Sequence, residues 1–172
     1  MLVSGGLDSA TCLAIAQRHG VTRFETAGSH PGDMIDRIHD GGGVLIHKST
    51  QLRHAVKAAA SGVDAVTIVG MEAGGHRGAF NADDAARSLV GLFSLLPAVV
   101  DAVDVPVVAT GGIADARTIA AAFVLGASAV QIGTGLLRTP EAGIAPAWAD
   151  AIGAALPEGT VPTRAFSGRL GL

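Results

Sequence analysis

Short apolar runs that end in glycine recur along this chain, and that recurrence narrows the fold more than any other feature. Ala65 to Val69 leads into Gly70-Met71-Glu72-Ala73-Gly74-Gly75-His76-Arg77-Gly78, Val107 to Thr110 into Gly111-Gly112-Ile113, and Ala129 to Ile132 into Gly133-Thr134-Gly135. Two more strand-like stretches, the earlier one at Arg23 to Thr26 and the β-branched run Val44 to His47, precede them, and Ala-rich stretches with helical apolar spacing separate the series. This alternation predicts parallel strands joined by helical crossovers, the α/β class. In such sheets the carboxyl ends of the strands form the ligand face, where glycine lets backbone N–H groups approach a phosphate.

The runs begin at Val44, Ala65, Val107 and Ala129, steps of about 21, 42 and 22 residues, so one βα unit fits each short step and a longer unit fits the middle. Helices are predicted at Asp8 to His19, Pro31 to Asp40, Thr50 to Ser61, Asp83 to Val103, Asp115 to Leu125 and Pro146 to Leu156. Ser49 or Thr50, Asp115, and Thr139 with Pro140 read as helix starts, and Gly20, Gly62 and Gly126 as helix ends. A closed (β/α)8 barrel and an open doubly wound sheet both fit this series. A barrel takes about 250 residues. At 172 residues the chain reads as a partial barrel, short by two or three units.

Hydrophobic residues make up 49% of the sequence and the mean hydropathy is +0.45, enough for one sizeable core. With aromatic residues at 3% and no Tyr, that core must be built from Ala, Val, Ile and Leu. A net charge of −3 without a long basic block argues against nucleic acid. No run approaches the roughly 20 apolar residues of a membrane span. Cys12 has no second cysteine to pair with, and the start Met-Leu-Val-Ser-Gly-Gly lacks signal-peptide character, so a reduced, cytoplasmic setting is expected. No metal site is predicted.

His76 stands in a glycine-rich loop, where its imidazole would remove a proton or hold an anionic substrate; the alternative is a histidine that only hydrogen-bonds its loop. Gly111-Gly112-Ile113-Ala114-Asp115 joins a strand to a helix and would offer N–H groups and the helix dipole to a phosphate, or else form a plain tight turn. Gly133 and Thr134, one unit later, would add donors from the neighbouring strand, the two-loop phosphate site of barrels. Glu72 would serve as a second acid or base, or as a surface carboxylate. Arg77 would favour an anionic substrate or simply be solvated. Trp148 and Phe166 read as packing residues.

Several of these segments together resemble the nitronate monooxygenase family, formerly called 2-nitropropane dioxygenase. The matching stretches are Glu25-Thr26-Ala27-Gly28, Ile46-His47-Lys48, Gly70 to Gly78, Pro106 to Asp115, Gln131-Ile132-Gly133-Thr134 and Ala165-Phe166-Ser167-Gly168-Arg169. The likeness implies a TIM-type barrel that uses FMN to oxidise alkyl nitronates, or nitroalkanes, with O2 to a carbonyl compound and nitrite. It further implies His76 as the catalytic histidine, Lys48 and Gly74 as flavin contacts, and Gly111, Gly112, Gly133 and Thr134 as the phosphate site. Ser167 and Arg169 would lie near the cofactor. The family's first barrel strands should precede Val21 and are expected to be lacking, and Val69 stands where relatives often carry a polar residue.

Ser4-Gly5-Gly6-Leu7-Asp8-Ser9 resembles instead the pyrophosphate loop of N-type ATP pyrophosphatases, most like 7-cyano-7-deazaguanine synthase. That divides the chain into a loop-like remnant at 1–20 and an FMN-binding barrel portion at 21–172. Three alternatives stay open beside the nitronate reading. One is a barrel fragment that is non-catalytic or works as a homo-oligomer through its exposed sheet edge. The others are an FMN-dependent enoyl reductase-like enzyme and an ATP pyrophosphatase.

Overall fold

The computed structural model describes residues 2–3, 9–76, 89–165, 168 and 170–172. Among them six strands form one parallel sheet: β1 (Leu2–Val3), β2 (Arg23–Ala27), β3 (Val44–Ser49), β4 (Ala65–Val69), β5 (Val107–Thr110) and β6 (Ala129–Gln131). The strands lie in chain order, β1-β2-β3-β4-β5-β6. A doubly wound sheet reverses direction part-way, and this one does not, so the open alternative falls and the barrel-type progression stands.

The curl of the sheet can be read from one contact. Flat, β2 and β6 would lie about 19 Å apart at about 4.8 Å per strand step. Yet Gln131 Nε2 of β6 donates to Glu25 Oε2 of β2 at 3.2 Å. Only a sheet wrapped towards closure brings those side chains together.

Six α-helices are described: α1 (Ser9–Arg18), α2 (Met34–Asp40), α3 (Leu52–Ala60), α4 (Leu92–Val100), α5 (Ala116–Val124) and α6 (Pro146–Ala154). Helices α1 to α5 cover the outer face with Ala, Val, Ile and Leu, as the composition requires, whereas α6 buries no side chain. Strand alternation sends Phe24, Leu45, Val66, Ile68, Val107 and Ala109 outward into this layer, all nearly or fully inaccessible. Leu13 and Ala16 of α1 belong to the same core cluster as Ile35, Ile38 and Leu96, and β1 pairs with β2 at Glu25 and Thr26. None of the described helices is long and apolar enough to cross a membrane.

Several helix boundaries differ from the sequence reading. The long helix predicted at Asp83 to Val103 is Leu92–Val100 within the described residues, with Gly91 extended at its start. The Met71 N–H donates to Val90 O at 2.9 Å, which holds Val90 along the β4 loop and out of the helix, and residues 83–88 of the predicted helix lie outside the described residues. Helix α6 stops at Ala154 because Ala155 and Leu156 are extended ahead of Pro157. Neither Ser49 nor Thr50 caps α3; its first flanking residue is Gln51, with no side-chain cap. Asp115 does cap α5, in a reciprocal box with Thr118. Gly20, Gly62 and Gly126 follow their helices with φ of +77°, +97° and +96°.

Candidate functional site

Three loops meet at the carboxyl rim of the sheet. Gly111, at φ +107°, lies so close beneath the β4 loop that an added Cβ would stand 3.2 Å from Gly70 N, Gly70 O and Ala73 N. Gly112, at φ +68°, would meet Glu72 Cβ at 3.3 Å. A Cβ at Gly74 would lie 3.6 Å from Thr134 Oγ1, and one at Gly135 would lie 3.7 Å from Ala114 Cα. The loops after β4, β5 and β6 are thus packed against one another, and at Gly111 and Gly112 the positive φ and the 3.2 and 3.3 Å approaches call for glycine, whereas the contacts of Gly74 with Thr134 and of Gly135 with Ala114 are of ordinary van der Waals length. The space beside Gly133 is open.

His76 lies on the β4 loop and is exposed. Its backbone pairs with Gly171, while Gly75 and Leu172 exchange N–H to carbonyl hydrogen bonds of 3.0 and 3.1 Å. Gly171 also pairs with Thr163. The sequence reading thus brings Gly74, Gly111, Gly112 and Thr134 into one patch, with His76 two residues beyond Gly74. Arg77, Gly78, Phe166, Ser167, Arg169 and the Ser4–Asp8 loop lie outside the described residues.

Lys48 stands elsewhere, on the inner face of β3 near the rim, with Nζ 3.2 Å from Glu25 Oε2. Its neighbour His47 faces the opposite way. Buried, and bonded through Nδ1 to Thr26 Oγ1 at 2.9 Å, His47 is held neutral, its pKa lowered to about 4. Loss of solvent is the main cause, and His30 and His54 add repulsion.

Glu72 has a defined structural task. Leu92 N–H is shared by both its carboxylate oxygens at 3.2 Å each, so Glu72 supplies to α4 the acceptor that Gly91 lacks. Sequence reading gave no role to Glu25, Thr67 and Gln131, which join Lys48 in one hydrogen-bonded cluster. The available signal was period-two alternation, which sets Arg23, Glu25 and Ala27 on the face opposite Phe24 and Thr26. It read Thr50 only as a helix start and passed over Gln51; their Oγ1 and Nε2 are buried at the end of β3 without a hydrogen-bond partner.

The sequence profile of nitronate monooxygenase matches residues 12–170. The chain belongs to the nitronate monooxygenase family. It is 40% identical over 137 residues to a probable nitronate monooxygenase of Staphylococcus aureus strain JH9, a match covering 80% of this chain and 39% of that protein. Among solved structures, nitroalkane oxidase from Streptomyces ansochromogenes superposes with a TM-score of 0.87 at 36% identity, over 98% of this chain and 50% of that one. FabK from Thermotoga maritima gives 0.84 at 31% identity, over 99% and 51%. The chain therefore spans about two fifths to one half of the length of these relatives.

Proposed function

We propose that this chain binds FMN at the carboxyl rim and supports the oxidation of alkyl nitronates, or nitroalkanes, by O2 to a carbonyl compound and nitrite. The observation that carries this reading is the mutual packing of three glycine loops from adjacent parallel strands. The residues present fit a flavin nucleotide. Gly133 leaves free volume where a side chain would stand, and Thr50 Oγ1 and Gln51 Nε2 are buried hydrogen-bonding atoms awaiting a partner.

In this proposal the N–H groups of Gly111, Gly112, Gly133 and Thr134 hold the phosphate, helped by the positive end of α5. Gly74 and Lys48 bound the ring. When bound, FMN supplies the electron transfer from organic substrate to O2. The protein's share is binding, orientation and proton transfer. His76 faces the substrate; it orients a nitronate anion through a ring N–H and, for a neutral nitroalkane, takes the α-proton on its unprotonated ring nitrogen.

Purified chain is expected to be yellow, with flavin absorbance released on denaturation, and to consume O2 with propionate-3-nitronate rather than NADH as electron donor. H76N is expected to keep the colour and lose nitroalkane turnover. A colourless chain that fails to take up added FMN overturns the reading.

A further inference from the structure

The inner face of the sheet holds a carboxylate gripped from three strands. Glu25 Oε1 accepts the Thr67 hydroxyl of β4 at 2.9 Å, and Oε2 accepts Gln131 Nε2 of β6 and lies 3.2 Å from Lys48 Nζ of β3. Its side chain is 15% exposed and that of Lys48 26%. Glu25, Thr67 and Gln131 also line a hollow of about 340 Å³ together with Ile46 and Val108.

Desolvating an ion pair costs about as much as the attraction returns, and well-packed apolar residues in the same place are often as stable or more so. Stability alone therefore gives no reason for four polar side chains to converge from four strands. Fixing a flexible group does. The four-carbon stem of a lysine leaves its ammonium free to wander. Here Thr67 and Gln131 immobilise the carboxylate, and the carboxylate in turn restrains the ammonium one residue before the end of β3.

We infer that Glu25, clamped by Thr67 and Gln131, is a positioning residue that fixes the Lys48 ammonium on the inner face and, through Lys48, sets how tightly the chain holds an anionic flavin nucleotide. The inference rests on the FMN reading above. In E25Q the amide would still accept from Thr67, but its NH2 would confront the Lys48 ammonium and the Gln131 amide, and the ammonium would swing free.

The test is a double-mutant cycle on FMN affinity, read by quenching of flavin fluorescence at fixed ionic strength. E25Q is expected to weaken binding about tenfold in the wild-type background and to have no further effect in K48M. T67V, which keeps the side-chain shape and removes one clamp, is expected to weaken binding about threefold, again only when Lys48 is present. It carries the test should E25Q fail to fold, as judged by thermal melting. Equal losses in both backgrounds would make Glu25 a general structural residue and overturn the inference, as would no loss in either. If the wild-type chain melts cooperatively but takes up no FMN, the functional reading falls and this inference with it. If it takes up FMN without the coupling, this inference alone falls.

Discussion

Replacing Gly111 by alanine tests the loop packing that supports the site, and Gly133 supplies the matched control. At φ +107°, an alanine at 111 adopts a conformation that costs L-residues about 1–2 kcal/mol. Its Cβ would also press on three backbone atoms of the β4 loop at 3.2 Å, and backbone yields less readily than the tip of a side chain. Adding about 1–2 kcal/mol for that shift brings the loss to about 2–4 kcal/mol. For a chain of this size each kcal/mol lowers Tm by about 2–4 °C, so G111A is expected to melt roughly 5–15 °C below the wild type. Gly133 has φ −104° and nothing within 4 Å of an added Cβ. G133A should therefore melt within about 2 °C of the wild type. Its methyl group would instead fill the free volume assigned to the nucleotide, and FMN affinity is expected to fall about tenfold or more. Circular-dichroism melts and fluorescence titration separate the two effects. A G111A chain as stable as the wild type would refute the packing described for the β4 and β5 loops, and unchanged FMN binding by G133A would remove that glycine from the cradle.

His47 makes stability pH-dependent. Its folded pKa, about 4, lies below the unfolded value of 6.5, so the unfolded chain binds the extra proton in between; the contribution is full above pH 6.5 and is lost as pH falls to 4. The drop caps the loss at about 3 kcal/mol, nearer 2 kcal/mol after solvent screening, and urea unfolding at pH 7 and pH 5 should show H47Q with a flatter dependence than the wild type. Asp115, held down to about 2 first by the Thr118 N–H and then by Arg117, contributes above its ordinary 3.8 and loses that contribution only as pH falls towards 2. D115A should therefore lose the helix cap at neutral pH and show a weaker pH dependence below pH 4, measured by acid titration of the helical signal. Phe24 is 1% exposed in the core, so F24A is expected to cost about 3–5 kcal/mol in urea unfolding.

The strands after β1 were legible as short β-type runs, closed by glycine except for β3, whose run passes into Thr50 and Gln51, and the rim glycines were legible from the same pattern. The curl was not. Strand order in a sheet built from local βα units is a tertiary outcome, and nothing in Gln131 or Glu25 taken singly says that they will touch across 106 positions of sequence. Glu72 was read as a candidate acid or a surface carboxylate; it is exposed, as the second reading has it, and it also satisfies the start of a helix twenty residues later. Ser49 and Thr50 carry the chemistry of a helix cap, but α3 begins beyond them, so hydroxyl type alone could not separate a capping role from an unpaired one.

His47 and Lys48 show why the core and the proposed site cannot be separated. They are adjacent in β3, and a period of two sends them to opposite faces: one loses its charge against Thr26 in the helix-covered layer, and the other keeps its charge against Glu25 on the inner face. The pairing of β3 with β2, which aligns Thr26 with His47 and Ala27 with Lys48, sets both environments at once. A one-residue slip of β3 would drive Lys48 into the core and turn His47 inward, exchanging the two environments. The outer-face residues Leu45 and Ile68, both fully buried, oppose that slip by their fit against the helices. Substitutions there that leave the chain folded but loosely packed should consequently weaken FMN binding as well as stability, although neither side chain faces the inner surface.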